Sequence, residues 1–139
     1  TGVRLSVAVK SGLDRTRTDA DLLTRALRGV IDNAFEHAGR DGRVEVRATR
    51  TGGALRIEVG DSGPGIPADQ LERAFEPFRR CVRPGAASVH GLGVGLSICR
   101  ASASLLGGRA WAQQGALGGT NVILELPLRG AREPVASVR

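Results

Sequence analysis

Leu55-Arg56-Ile57-Glu58-Val59 alternates apolar and polar side chains and runs, through Gly60, into Asp61-Ser62-Gly63-Pro64-Gly65-Ile66. Period-two alternation marks a half-buried strand. An acidic side chain at a strand end can accept a hydrogen bond from an exocyclic amine, and two glycines without Cβ atoms let backbone approach a flat ligand. The same six residues also read as a tight turn leaving the strand. What surrounds the stretch decides between the two.

Upstream, Val44 to Ala48 alternates in the same way, and Thr51-Gly52-Gly53 supplies a turn, so the two runs predict a hairpin. Before it, Leu22, Leu23, Ala26, Leu27, Val30, Ile31, Ala34 and Phe35 recur at spacings of three and four. That is the stripe of an amphipathic helix, capped by Thr18 or Asp19 and running to about Ala38. Arg4 to Val9 alternates as a further strand, and Ser11 to Thr18 is a polar loop. Downstream, Pro67 to Ala74 predicts a short helix, and Phe78 to His90 has little periodicity and reads as a mobile loop. Val94 to Leu106 is helical and ends at Gly107-Gly108, a C-cap signal. Arg109 to Gln113 and Asn121 to Leu128 are the last strands, and residues 130–139 form a polar tail after a single domain at 1–129.

Gly91-Leu92-Gly93-Val94-Gly95-Leu96 opens a helix, where bare backbone N–H groups suit phosphate. It is neither of two familiar phosphate motifs. A dinucleotide fingerprint needs a third glycine three positions after the second, and Leu96 stands there. A P-loop needs Gly-Lys-Ser/Thr, and the single lysine is Lys10. Gly118-Gly119-Thr120 precedes the last strand and by itself is an ordinary hairpin turn. On the long helix, Asn33, Glu36 and His37 share a face offset from the apolar stripe. An amide oxygen there is a hard ligand suited to magnesium, and a solvated polar face is the other reading.

Composition sets the bounds. The chain has 139 residues, 41% hydrophobic and 24% charged, enough for one soluble domain with a core. No apolar run approaches the roughly 18–20 residues that span a bilayer, and no signal peptide is visible. A first residue of Thr in place of Met reads as a piece cut from a longer protein. Cys81 and Cys99 have no metal-ligand or disulfide-framework spacing, so a reducing cytosol is the expected setting. The net charge of +6 is almost wholly arginine, with few aromatic residues (3%) and no basic run interleaved with rings. Nucleic acid is therefore not the expected partner, and coding bias or attraction to nucleotide phosphate accounts for the excess.

The order of these motifs resembles the ATP-binding domain of bacterial sensor histidine kinases, within the wider Bergerat-fold ATPases. Val30-Ile31-Asp32-Asn33-Ala34 is similar to the N box, Asp61 to Ile66 to the first glycine box, and Phe75-Glu76-Pro77-Phe78 to the F box. Gly91 to Leu96 is similar to the second glycine box and Gly118 to Thr120 to the last. The resemblance covers about residues 3–128 and implies an α/β two-layer sandwich, a mixed sheet of about five strands with three helices on one face.

The resemblance also implies roles. Asp61 would accept the adenine amino group, aided by a water and Thr120. Gly63, Gly65 and Ile66 would let the base in. Asn33 would ligate Mg²⁺ bridging the phosphates of ATP, and His37 would approach those phosphates. Gly91, Leu92, Gly93, Val94, Gly95 and Leu96 would meet the phosphates at the helix start. Residues 67–90 would be an ATP lid anchored by Phe75 and Phe78, with Arg79, Arg80 or Arg83 reaching the γ-phosphate. Glu36 stands where many members carry lysine, and Gly29 where relatives carry an Asn or a hydrolytic Glu. A mid-helix glycine costs about 1 kcal/mol against Ala, and the sequence offers no local benefit to offset it.

Neither His37 nor His90 sits in a phosphoacceptor-like context, since Ala38-Gly39 and Gly91-Leu92 follow them. The implied function is a protein-histidine kinase catalytic domain that donates the γ-phosphoryl group to a histidine on a separate dimerisation domain. A response regulator would act downstream in a two-component system. This part would be cytoplasmic, without membrane insertion, and monomeric when isolated. Two other functions fit the same boxes: an anti-sigma-type serine kinase, and a non-catalytic ATP/ADP sensor.

Overall fold

A computed structural model describes residues 2–9, 19–77 and 95–128. The expectations placed on Ser11 to Thr18, on Phe78 to Val94 and on the tail at 130–139 lie outside the described residues. The elements in chain order are β1 (Arg4–Val9), α1 (Ala20–Ala38), β2 (Arg43–Thr51), β3 (Ala54–Asp61), α2 (Gly95–Leu105), β4 (Arg109–Gln114) and β5 (Thr120–Pro127). They form one mixed sheet in the order β1-β2-β3-β5-β4. Strand β1 runs parallel to β2, with α1 as the crossover, and the other pairs are antiparallel.

Each boundary has a local cause. The Asp19 carboxylate caps α1, accepting from the Asp21 and Leu22 amides at 3.0 and 3.1 Å. At the end of α2, Gly107 takes φ 84°, its amide donates to Ser104 O, and the Gly108 amide donates to Ala103 O. This 6→1 and 5→2 pair closes the helix and satisfies carbonyls that would otherwise be orphaned. Where one short helix was expected over Pro67 to Ala74, the chain makes two 3₁₀ turns, Ala68–Gln70 and Arg73–Phe75, with Pro67 just ahead of the first. The described residues thus hold two α-helices and these two turns in place of three helices.

The core lies between the helices and one face of the sheet. Ala26, Val30, Ala34 and Ala38 from α1 meet Leu96, Cys99 and Ala103 from α2 above Val44, Ile57, Val59, Val122 and Leu124. The side chains along α1 are small, and the two helices share one of the most extensive contacts in the molecule. A Cβ on Gly29 would lie 2.3 Å from the Gly95 carbonyl oxygen, and one on Gly95 would lie 2.8 Å from that of Gly29. The mid-helix glycine therefore has the benefit that the sequence did not reveal: it lets α1 and α2 cross with backbone against backbone.

On the opposite face, Ile123 is fully buried between its cross-strand neighbours Glu58 and Trp111. The guanidinium groups of Arg109 and Arg56 lie 4.6 and 5.5 Å from the Trp111 ring centre. Their long stems and the indole shield an isoleucine on a face without a helix layer. Among the described residues no helix is long and apolar enough to cross a membrane.

Candidate functional site

Asp61 ends β3, and its carboxylate is 2% exposed. Its Oδ1 accepts from the Gly63 amide at 2.9 Å and from the Thr120 amide at 3.4 Å. Its backbone carbonyl accepts from the Gly119 amide at 3.1 Å. The two amides on Oδ1 satisfy and orient the buried side chain, and the Gly119 amide does the same for its backbone. Thr120, the first residue of β5, is equally buried, and its hydroxyl accepts from the Ile66 amide at 3.0 Å. A hydroxyl that accepts one bond keeps its own proton to donate.

The glycines around Asp61 are set by close approach. A Cβ on Gly119 would stand 2.2 Å from Asp61 Oδ1, and one on Gly63 would stand 1.9 Å from the His37 carbonyl oxygen. Neither position admits a side chain. Gly65 has φ 82°, a left-handed conformation that glycine adopts without strain, and lies against the Gly118–Gly119 backbone. Ser62 closes the other side: its hydroxyl accepts from the Arg43 amide at 2.8 Å while its amide donates to Arg43 O at 3.0 Å. That exchange continues the β2–β3 ladder by one residue past the strand end.

The Gly63–His37 contact ties the first glycine box to the last turn of α1. His37 lies on that turn and Asn33 one turn earlier, both half-buried, as is Glu36. Thus the last turn of α1, through its backbone, the first glycine box and the Gly118-Gly119-Thr120 corner meet around Asp61. The start of α2 meets α1 earlier along that helix, at the Gly95–Gly29 crossing.

The remaining expected residues are placed as follows. Ile66 and Leu96 turn their side chains into the core, so only their backbones can face a ligand. Phe75 is buried, with the Arg100 guanidinium 4.0 Å from its ring centre. Phe78, Arg79, Arg80, Arg83, Gly91, Leu92, Gly93 and Val94 lie outside the described residues. Two contributors carried no role in the sequence reading. Ser62 could have been found as the hydroxyl directly after a strand-end acid. Arg100 stood out only as a charge between residues that α2 buries. Cys99 is fully buried, and desolvation pushes its thiol up to about 12 against a smaller opposing effect of the Arg100 charge. Such a thiol is an inert core residue.

A family model described as "Histidine kinase-, DNA gyrase B-, and HSP90-like ATPase" matches residues 18–130. Among curated relatives, the sensor protein PfeS of Pseudomonas aeruginosa is 37% identical over 75% of this chain and 23% of its own length. The sensor protein KdpD of Escherichia coli is 32% identical over 93% of this chain and 14% of its own. The chain thus spans less than a quarter of each of these two relatives. Among solved structures, the mycobacterial sensor histidine kinase MprB superposes with a TM-score of 0.76 at 29% identity, covering 91% of this chain and 84% of that one. Full-length ShkA in complex with AMPPNP superposes with a TM-score of 0.76 at 29% identity, covering 96% of this chain and 27% of that one.

Proposed function

This chain belongs to the histidine kinase-, DNA gyrase B- and HSP90-like ATPase family, and from that premise we propose that it binds Mg²⁺–ATP as the catalytic domain of a sensor histidine kinase. It donates the γ-phosphoryl group to a histidine on a dimerisation domain outside these residues. The observation that carries the reading is the buried, hydrogen-bonded Asp61 carboxylate in a cradle of glycines that a Cβ would fill.

In this reading Asp61 accepts from the adenine amino group, and the Thr120 hydroxyl contributes through its remaining proton. Gly63, Gly65 and the Ile66 backbone leave room for the flat base. Asn33 supplies an oxygen ligand and His37 approaches the phosphates. Gly91, Gly93 and Gly95 offer backbone at the start of α2, and Arg79 or Arg80 contacts the γ-phosphate. The donor suits magnesium: half-buried Asn33 offers a neutral, hard amide oxygen. One amide oxygen beside substrate phosphates and waters is the coordination that magnesium favours. When bound, the ion neutralises phosphate charge and holds the phosphates in one geometry.

Phosphoryl transfer depends mainly on placing the nucleophile in line with the phosphate. Here the chain holds the donor and the acceptor histidine comes from elsewhere. Gly29, where hydrolytic relatives would place a general base, is pressed against Gly95. A carboxylate side chain there would push the helices apart, which supports transfer over hydrolysis. A response regulator receives the phosphoryl group next.

The test is incubation of the full-length polypeptide and of the 139-residue chain with γ-labelled ATP. Acid-labile, base-stable label should appear on the full-length protein and not on the chain alone, whose phosphate release should stay near background. Such label on the chain itself would place the acceptor at His37 or His90 and contradict the reading. Acid-stable label on a partner's serine would favour the serine-kinase alternative.

A further inference from the structure

Arg100, in the second turn of α2, makes three kinds of contact at once. Nη1 and Nη2 form a two-point pair with the Glu72 carboxylate. Nε and Nη2 donate to the Ala110 carbonyl at 3.4 and 3.1 Å. The face of the same guanidinium lies 4.0 Å from the Phe75 ring centre. Edge and face are both used, which the planar five-donor fork of arginine allows and lysine does not. The hydrogen bond from Arg100 holds the Glu72 carboxyl below the usual glutamate range, with a smaller opposing effect of burial.

The partners come from separate places. Glu72 and Phe75 lie on the chain that leaves the first glycine box, and Ala110 lies on β4 beside β5. Arg100 therefore ties α2 to the sheet and to the path out of the adenine end. The Gly95–Gly29 contact holds the start of α2 to α1. Beyond the core packing of Leu96, Cys99 and Ala103, these two ties hold the helix, and one of them is a single side chain.

Resting on the nucleotide-binding reading above, we propose that Arg100 is a positioning residue for the phosphate end of the site. By gripping Glu72, Phe75 and Ala110 together, it sets where the start of α2 stands relative to Asp61 and Thr120. It touches no substrate. Its effect is on how well the phosphates are met once the adenine is seated.

The experiment titrates the 139-residue chain, Arg100→Met and Arg100→Lys with Mg²⁺–ATP and separately with adenosine, followed by NMR shift changes. Arg100→Met should weaken Mg²⁺–ATP binding about fivefold or more and leave adenosine binding within about twofold. Arg100→Lys, which keeps the charge and loses the fork, should fall between the two. Equal weakening for both ligands would mean general loosening and overturn the proposal, as would unchanged affinity in both variants. If Arg100→Met does not fold, Arg100→Lys decides alone, because it must lose Mg²⁺–ATP affinity selectively. An unsubstituted chain that binds neither ligand would instead defeat the nucleotide reading.

Discussion

Asp61 is the residue on which the proposed base recognition rests. A hydrogen bond to a charged acceptor contributes about 1.5–3 kcal/mol, and about 1.4 kcal/mol is tenfold in affinity. Asp61→Ala should therefore weaken ATP binding about tenfold or more and remove the preference for ATP over GTP in calorimetry. Equal affinity and selectivity in the variant would defeat the assignment. Because Oδ1 also holds Gly63 and Thr120, Asp61→Asn is the companion variant: it keeps the shape, and selectivity should still fall. Cys99 gives a second prediction at this scale. The unfolded thiol ionises near its ordinary value of about 8.5 while the folded one resists to about 12. Over that window the unfolded state holds fewer protons, so this group's contribution to stability is complete below the window and declines as pH rises through it. At pH 8, in a Cys81→Ser background, a thiol reagent should label Cys99 only as fast as the protein opens. Rapid labelling of the native protein would contradict the burial.

At the scale of elements, the α1–α2 crossing is the feature most exposed to test. Adding a methyl at Gly29 gains about 1 kcal/mol of helix propensity but forces a Cβ against a backbone carbonyl that cannot rotate away. Overpacking of this kind typically costs 1–3 kcal/mol. Gly29→Ala should be net destabilising by about 1 kcal/mol in urea denaturation, and Gly29→Glu by more. A stabilised Gly29→Ala would show that the helices are not in close contact. This crossing also marks the limit of what the sequence makes legible. Periodicity located α1, the β2–β3 hairpin and both ends of α2, because each rests on a local pattern: a capping Asp19, a Gly-Gly turn, a Gly107 C-cap. The reason for Gly29 lies in Gly95, distant in the chain, and no local pattern carries it. The two 3₁₀ turns after Pro67 were legible as a helical start, but a stretch this short gives periodicity nothing to count.

Over the whole molecule, the first and last glycine boxes, weak singly, come together because the sheet order brings β5 beside β3. That pairing sets Thr120 against Asp61, and Gly63 presses the loop onto α1. Asn33, Asp61 and Thr120 were legible as separate candidates from residue type and position. The meeting of Asp61 and Thr120 was legible only through the order of motifs, since a contact between positions 61 and 120 depends on strand pairing. Ser62 stood inside the first glycine box without a role of its own, and Arg100 was not legible as part of the site, because it acts on backbone and on other side chains and carries no motif. The central claim is that this convergence is a nucleotide site, and isothermal titration of the 139-residue chain with ATP, with and without Mg²⁺, tests it most directly. The account predicts saturable binding at one site in the micromolar-to-millimolar range common for enzyme substrates, tighter with Mg²⁺ than without. Absence of saturable heat up to several millimolar Mg²⁺–ATP, from a chain shown to be folded, would contradict it.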